Sequence, residues 1–220
     1  MKPLPDDGVS CDPLASSYEL LEHLSFGKYL EEQRFAFLEQ AKTAGRALEC
    51  GGGDGRFLSR LLGVNARVEV DFVDLSPKMV ALAKQRVGRM GPRFLQRVRF
   101  WTGDIRKFEP RLEGYDLIST HFFLDWFTEE QLAGIVARLA SWRSENVHWF
   151  VSDFCEAERQ CYRLWTHTVI RGLYAGFRLA TGLRVNRMPN YKATLAKQRF
   201  TPLFQKTALG GLLHSSVWVV

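Results

Sequence analysis

At 220 residues and 25.2 kDa, with 46% hydrophobic and 25% charged residues, the chain has the size and composition of one folded core. That composition excludes a disordered or fibrous protein; no run reaches the roughly 18 apolar residues of a membrane span, and residues 1–10 lack the basic start and apolar run of a signal peptide. A formal charge of +6 and a pI near 9.3 point only weakly to a polyanionic partner, because the densest basic stretch, Lys84 to Arg99, has little aromatic interleaving and reads as a solvated face.

In chain order, residues 14–44 contain an amphipathic helix and form a helical cap ahead of the first strand. From Arg46 to Phe150, short apolar runs rich in β-branched and aromatic residues then alternate with helical stretches. Strands are expected at 47–50, 68–73, 98–101, 117–120 and 147–151, and helices at 55–62, 77–87 and 129–142. The second of these helices opens on Ser76-Pro77, a capping residue followed by proline in the first turn. A long helical stretch at 157–182 carries Tyr162, Trp165, Val169, Leu173 and Phe177 at helical spacing, flanked by Arg163, Arg171 and Arg178. Gly182 and Pro189 bracket the loop after it, and runs at 199–205 and 212–220 complete the sheet. The expected architecture is a doubly wound, Rossmann-like, seven-stranded and mostly parallel sheet in one domain, 1–220. It comprises a 14–44 cap, a 46–153 core, a 157–189 helical insertion and a final helix and strands over 190–220.

The four cysteines, Cys11, Cys50, Cys155 and Cys161, show neither a C-x-x-C pair nor zinc spacing, so reduced thiols, a cytoplasmic setting and no metal site are expected. The informative motif is Glu49-Cys50-Gly51-Gly52-Gly53-Asp54-Gly55, at a strand-to-helix junction where glycines let the backbone turn sharply and approach a ligand. A dinucleotide fingerprint begins the same way, but its third glycine falls on Arg56. Asp74 ends the second strand, where a carboxylate can accept ribose hydroxyls, and Gly103-Asp104-Ile105 follows the third. The run Tyr115 to His121 then contains the fourth strand.

Taken together, E-x-G-x-G-x-G, Asp74, Asp104 and the 115–121 run resemble the successive motifs of class I S-adenosylmethionine-dependent methyltransferases, of small-molecule type, over about half of the chain. Tyr18 and Ser25-Phe26-Gly27 are similar to the N-terminal segment of menaquinone and ubiquinone C-methyltransferases. The resemblance implies S-adenosyl-L-methionine as cosubstrate, held by Tyr18, Glu49, Gly51, Gly53, Asp74, Leu75, Ser76, Met79, Asp104, Ile105 and His121. It also implies methyl transfer to a small acceptor, and the aromatic stripe at 162–177 suits an aromatic or lipophilic one.

His121, running on from the fourth strand, is the candidate base for an acceptor that must lose a proton; Asp125, His148, Asp153 and His167 are further candidates. His121-Phe122-Phe123-Leu124 stands where base-amine methyltransferases carry Asn or Asp-Pro-Pro-aromatic, so nucleic acid is disfavoured and an RNA acceptor is the runner-up. A dinucleotide-dependent oxidoreductase and a non-catalytic S-adenosylmethionine-binding protein stand as alternatives, and the arginines beside the stripe leave a peripheral membrane contact open.

Overall fold

The computed structural model describes residues 27–110, 114–155, 166–169, 172 and 188–220. Seven strands form one sheet: β1 (Arg46–Cys50), β2 (Glu69–Asp74), β3 (Val98–Thr102), β4 (Tyr115–His121), β5 (Arg143–Phe154), β6 (Thr201–Ala208) and β7 (Leu213–Val219), in the order β3-β2-β1-β4-β5-β7-β6. The first five pair in parallel, while β7 runs antiparallel to β5 and to β6. The order reverses between β1 and β4, and open α/β sheets bind ligands outside the carboxyl ends of the strands at such a point.

The helices are α1 (Gly27–Arg34), α2 (Arg56–Val64), α3 (Pro77–Met90), α4 (Pro92–Leu95), α5 (Glu129–Ser141) and α6 (Tyr191–Lys197). α2 and α3 pack on one face through Phe57, Leu58, Leu61, Leu62, Val80, Ala83 and Val87, against Ala47, Val70, Phe72, Leu117 and Phe150 of the strands. α5 and α6 cover the other face through Leu132, Ile135, Val136, Leu139 and Leu195, against Leu48, Ile118, Trp149 and Val151. The alternation along each strand thus divides the apolar residues between two layers. α5 starts with a capping box, Thr128 and Gln131 each bonding the other's backbone N–H, and α3 starts on the expected cap, with Ser76 Oγ accepting from Met79 N at 3.2 Å.

Within the 14–44 segment, the described residues form helix α1, which ends at Arg34, and a 3-10 turn at Leu38–Ala41. Phe35 and Phe37 both pack on the α2 side of the sheet. Residues two apart lie on opposite sides of an α-helix, so burying both rings on one surface requires the helix to stop. Asn65 ties this segment down: its Nδ2 donates to the carbonyls of Ala41 (2.9 Å) and Ala44 (2.8 Å), while its Oδ1 accepts from Arg67 N and Val68 N, both 2.9 Å. β5 also extends beyond its apolar run at both ends, because β4 pairs with it from Arg143 and β7 pairs with it as far as Phe154.

The basic stretch is largely engaged within the fold. Arg86 bonds the Asp54 carbonyl and pairs with its carboxylate, Arg97 donates to the carbonyls of Asn65 and Leu62, and Arg99 pairs with buried Asp71. Tyr18 and most of the 157–182 stretch lie outside the described residues. Within that stretch, residues 166–169 are helical, with Val169 against a small cluster of Leu30, Phe122, Phe154, Leu212 and Leu213.

Candidate functional site

β1, β2 and β3 end side by side in register, and their last residues carry the predicted motif groups. Gly51 and Gly53 have φ of 63° and 58°, values that glycine alone adopts without strain. The turn is held from below, where Gly51 N donates to Val73 O at 2.9 Å and Gly53 N to Asp74 Oδ2 at 2.8 Å. Among the described residues nothing lies within 4 Å of where a Cβ on Gly53 would stand, so they leave the backbone there open to close approach. Asp74 Oδ1 also accepts from Ser76 N at 2.9 Å, fixing the carboxyl group at the end of β2.

Next along the sheet edge, Asp104 accepts from Arg106 N at 2.9 Å and pairs with the Arg106 guanidinium at 2.5 Å. Burial works to raise its pKa, but those bonds and the Arg106 charge outweigh it and leave the carboxylate below its ordinary value. Leu75, the residue after Asp74, is 46% exposed, whereas Ile105 is buried. Ser76 and Met79 are buried in the first turn of α3, their polar atoms joined in its cap.

Glu49 stands one strand position below the glycine turn and is only 2% exposed. Burial pushes its pKa well above the usual carboxylate range, opposed by the Arg34 guanidinium and reinforced by the charges of Asp74 and Asp54. Its Oε2 is buried with no hydrogen-bond partner among the described residues. In register beside Glu49, the buried Ser119 hydroxyl on β4 is in the same condition, as are both amide atoms of Gln33 on α1. α1 is pinned over these strands, because the Gln33 carbonyl accepts from Ser152 Oγ at 3.1 Å and Ser215 Oγ at 3.0 Å.

His121 ends β4 as expected, but its ring turns into the α2 layer. It packs on Phe57 with centroids 4.4 Å apart, and its Nδ1 lies 2.9 Å from Ser152 Oγ. Burial, with the nearby Arg34 charge, lowers its pKa to about 3.

Asp125 and Asp153 come together as a buried, hydrogen-bonded carboxyl pair under the loop after β4. Burial raises both, Asp125 to about 7, so the pair holds a proton into the neutral range. Asp153 Oδ2 meanwhile accepts from Leu124 N (3.1 Å) and Asp125 N (3.2 Å). His148 is not brought to this site: it pairs with Leu117 in the first half of β4 and lines a cavity with Gln40, Asp116 and Asn146 at the opposite end of the strands. His167 is exposed.

Two groups here were given no site role by the sequence reading. Arg34 is a cation near Glu49, and Phe123 packs against the glycine turn. Neither carries a motif, since each reaches the site through long-range packing.

A seven-stranded sheet with one antiparallel strand, a glycine turn after β1 and acids at the ends of β2 and β3 define a Rossmann-like α/β class. Residues 48–146 match the family described as a methyltransferase domain. That match covers a little under half of the chain and supports a class I S-adenosylmethionine-dependent methyltransferase core. It is 35% identical over 108 residues to the N-terminal Xaa-Pro-Lys N-methyltransferase 1 of Bos taurus, covering 48% of this chain and 46% of that one. It is also 25% identical over 117 residues to the malonyl-(acyl-carrier protein) O-methyltransferase 2 of Ilyobacter polytropus, covering 53% of this chain and 42% of the other. The chain thus spans less than half the length of these curated relatives. In fold it is similar to the mitomycin 7-O-methyltransferase MmcR, with a TM-score of 0.68 at 18% identity over 96% of this chain and 61% of that one. It is likewise similar to the N-methyltransferase NodS of Bradyrhizobium japonicum in complex with S-adenosyl-L-homocysteine, with a TM-score of 0.60 at 14% identity over 86% and 87%.

Proposed function

We propose that the chain transfers the methyl group of S-adenosyl-L-methionine to a small acceptor of aromatic or lipophilic character. The observation that carries the cofactor reading is the open Gly53 backbone beside Asp74, with the partnerless Glu49 oxygen beneath the same turn. The residues fit the group: Asp74 places a carboxylate at the end of β2, a group type that accepts ribose hydroxyls, Asp104 is ionised and able to accept from the adenine amino group, and exposed Leu75 offers the base an apolar surface. Glu49 faces the amino-acid end with one acceptor still to satisfy.

When bound, the cofactor supplies a methyl group on a positively charged sulfur, already electrophilic, so the chain's task is to orient an acceptor and exclude water. His121, half-buried and neutral with its pKa lowered to about 3, takes no proton at neutral pH and serves here as packing. Asp125, raised to about 7, is the better matched of the sequence-derived candidates for moving one. The partial identity to a protein N-methyltransferase keeps a peptide amine as the second acceptor class.

The test is calorimetric titration of the wild type and Asp74→Ala with S-adenosylmethionine, S-adenosylhomocysteine and NAD. The proposal expects micromolar binding of both sulfur nucleosides, a loss of at least tenfold in the variant, and no NAD binding. Turnover with phenols, quinones, carboxylates and short peptides then selects the acceptor, and failure of both sulfur nucleosides to bind sinks the proposal.

A further inference from the structure

We infer that Phe123 is the aromatic wall facing the charged sulfur of the cofactor, and that the loop after β4 is built to hold it there. The inference rests on the cofactor reading above. β4 ends at His121, and the next residue, Phe122, has a φ of 54°, in the left-handed region that bulky side chains avoid. Such a turn persists only when its surroundings hold it, and here they do. Phe122 N donates to Ser152 O at 2.6 Å, and its buried ring sits 5.5 Å from the Arg34 guanidinium and 5.8 Å from the Phe154 ring. Two residues on, the N–H groups of Leu124 and Asp125 converge on Asp153 Oδ2.

The turn sends Phe123 back over the glycine motif. A Cβ on Gly51 would stand 2.3 Å from Phe123 Cδ2, so the ring lies directly against the backbone that receives the ligand. Phe127 supports it edge-on, with centroids 5.0 Å apart.

Strand order identifies which part of the cofactor meets this ring. Across β3-β2-β1-β4, Asp104 and Asp74 account for adenine and ribose on the β3 and β2 side, so the sulfur end extends past Gly51 toward β4. Phe123 is the aromatic residue, among those described, that lies against Gly51 on that side. An aromatic face attracts a cation, and the reactant sulfonium is charged whereas the product thioether is neutral. Phe123 therefore favours reactant over product, while the amino group common to both contributes equally to each.

The readout is the ratio of dissociation constants for S-adenosylmethionine and S-adenosylhomocysteine, measured by calorimetry at one ionic strength. Phe123→Leu keeps an apolar side chain without the ring, and should weaken S-adenosylmethionine by about 3- to 10-fold while changing S-adenosylhomocysteine less than about twofold. Phe123→Tyr, which retains a ring, should restore the wild-type ratio. If Phe123→Leu loses cooperative unfolding, Phe123→Met makes the same comparison. An unchanged ratio, whether both affinities fall together or neither moves, overturns the inference while leaving the cofactor reading standing. A wild type that binds neither nucleoside overturns both.

Discussion

Asp153→Ala removes the acceptor that two buried backbone N–H groups share. Leu124 N and Asp125 N both end on Asp153 Oδ2, and Leu124, Asp125 and Asp153 are all buried, so water does not readily replace the lost oxygen. Each buried donor left unsatisfied costs about 1–3 kcal/mol, giving about 2–6 kcal/mol for the pair. Relief of burying a carboxyl group pulls the expected net loss to about 3 kcal/mol. For a chain of this length, 1 kcal/mol shifts Tm by about 2–4 °C, so thermal unfolding followed by circular dichroism at neutral pH should show a fall of about 6–12 °C. Asp153→Asn keeps an oxygen in place and should lose about 1 kcal/mol or less, provided its amide settles with that oxygen toward the two N–H groups. A Tm for Asp153→Ala within about 2 °C of wild type, or equal losses in both variants, would refute the reasoning that the carboxyl group clamps this loop.

The two glycines should separate folding from binding. Gly53→Ala meets no neighbour among the described residues and bears the left-handed backbone strain of about 1–2 kcal/mol, yet its methyl occupies the open approach and should weaken S-adenosylmethionine at least tenfold by calorimetry. Gly51→Ala adds a clash with the Phe123 ring to the same strain, and denaturant titration should show a loss of about 2–5 kcal/mol. Asp125→Asn should change the pH dependence of stability. With its folded pKa raised to about 7, native Asp125 holds a proton that the unfolded chain releases near pH 4, so its contribution is lost as pH rises between those values. The Tm of the variant minus that of wild type should therefore grow from pH 5 to pH 8. His121 and His214, lowered to about 3 and about 4, act in the opposite sense in both proteins and cancel in the difference. A flat or falling difference contradicts the assignment.

The alternation of apolar runs and helices made the five parallel strands legible, because parallel strands buried on both faces must be apolar throughout and their crossovers must show helical spacing. Glu49, Gly51, Gly53, Asp74 and Asp104 were legible for a different reason: each sits at a strand end, and strand ends converge in this topology whatever lies between them. What the sequence did not disclose was direction. His121 is where it was expected, but its ring turns toward Phe57, an outcome set by packing between β4 and α2. Phe123 looks like one more apolar residue until the Phe122 turn aims it at Gly51. Arg86, Arg97 and Arg99 read as a solvated face because their acceptors lie 28 to 35 residues away in the chain.

Asn65 has a bearing on how the protein ages. Its side-chain amide gives two hydrogens to the carbonyls of Ala41 and Ala44 and takes two from the strand entry beyond it. Heat-labile amides of this type hydrolyse slowly to carboxylates. At Asn65 that reaction would leave a negative oxygen aimed at two carbonyl oxygens, turning an attraction into a repulsion at the junction of the N-terminal segment with the sheet. A stored sample could then loosen around residues 38–44 without any cleavage of the chain, while the glycine turn at the other end of β1 stays chemically untouched.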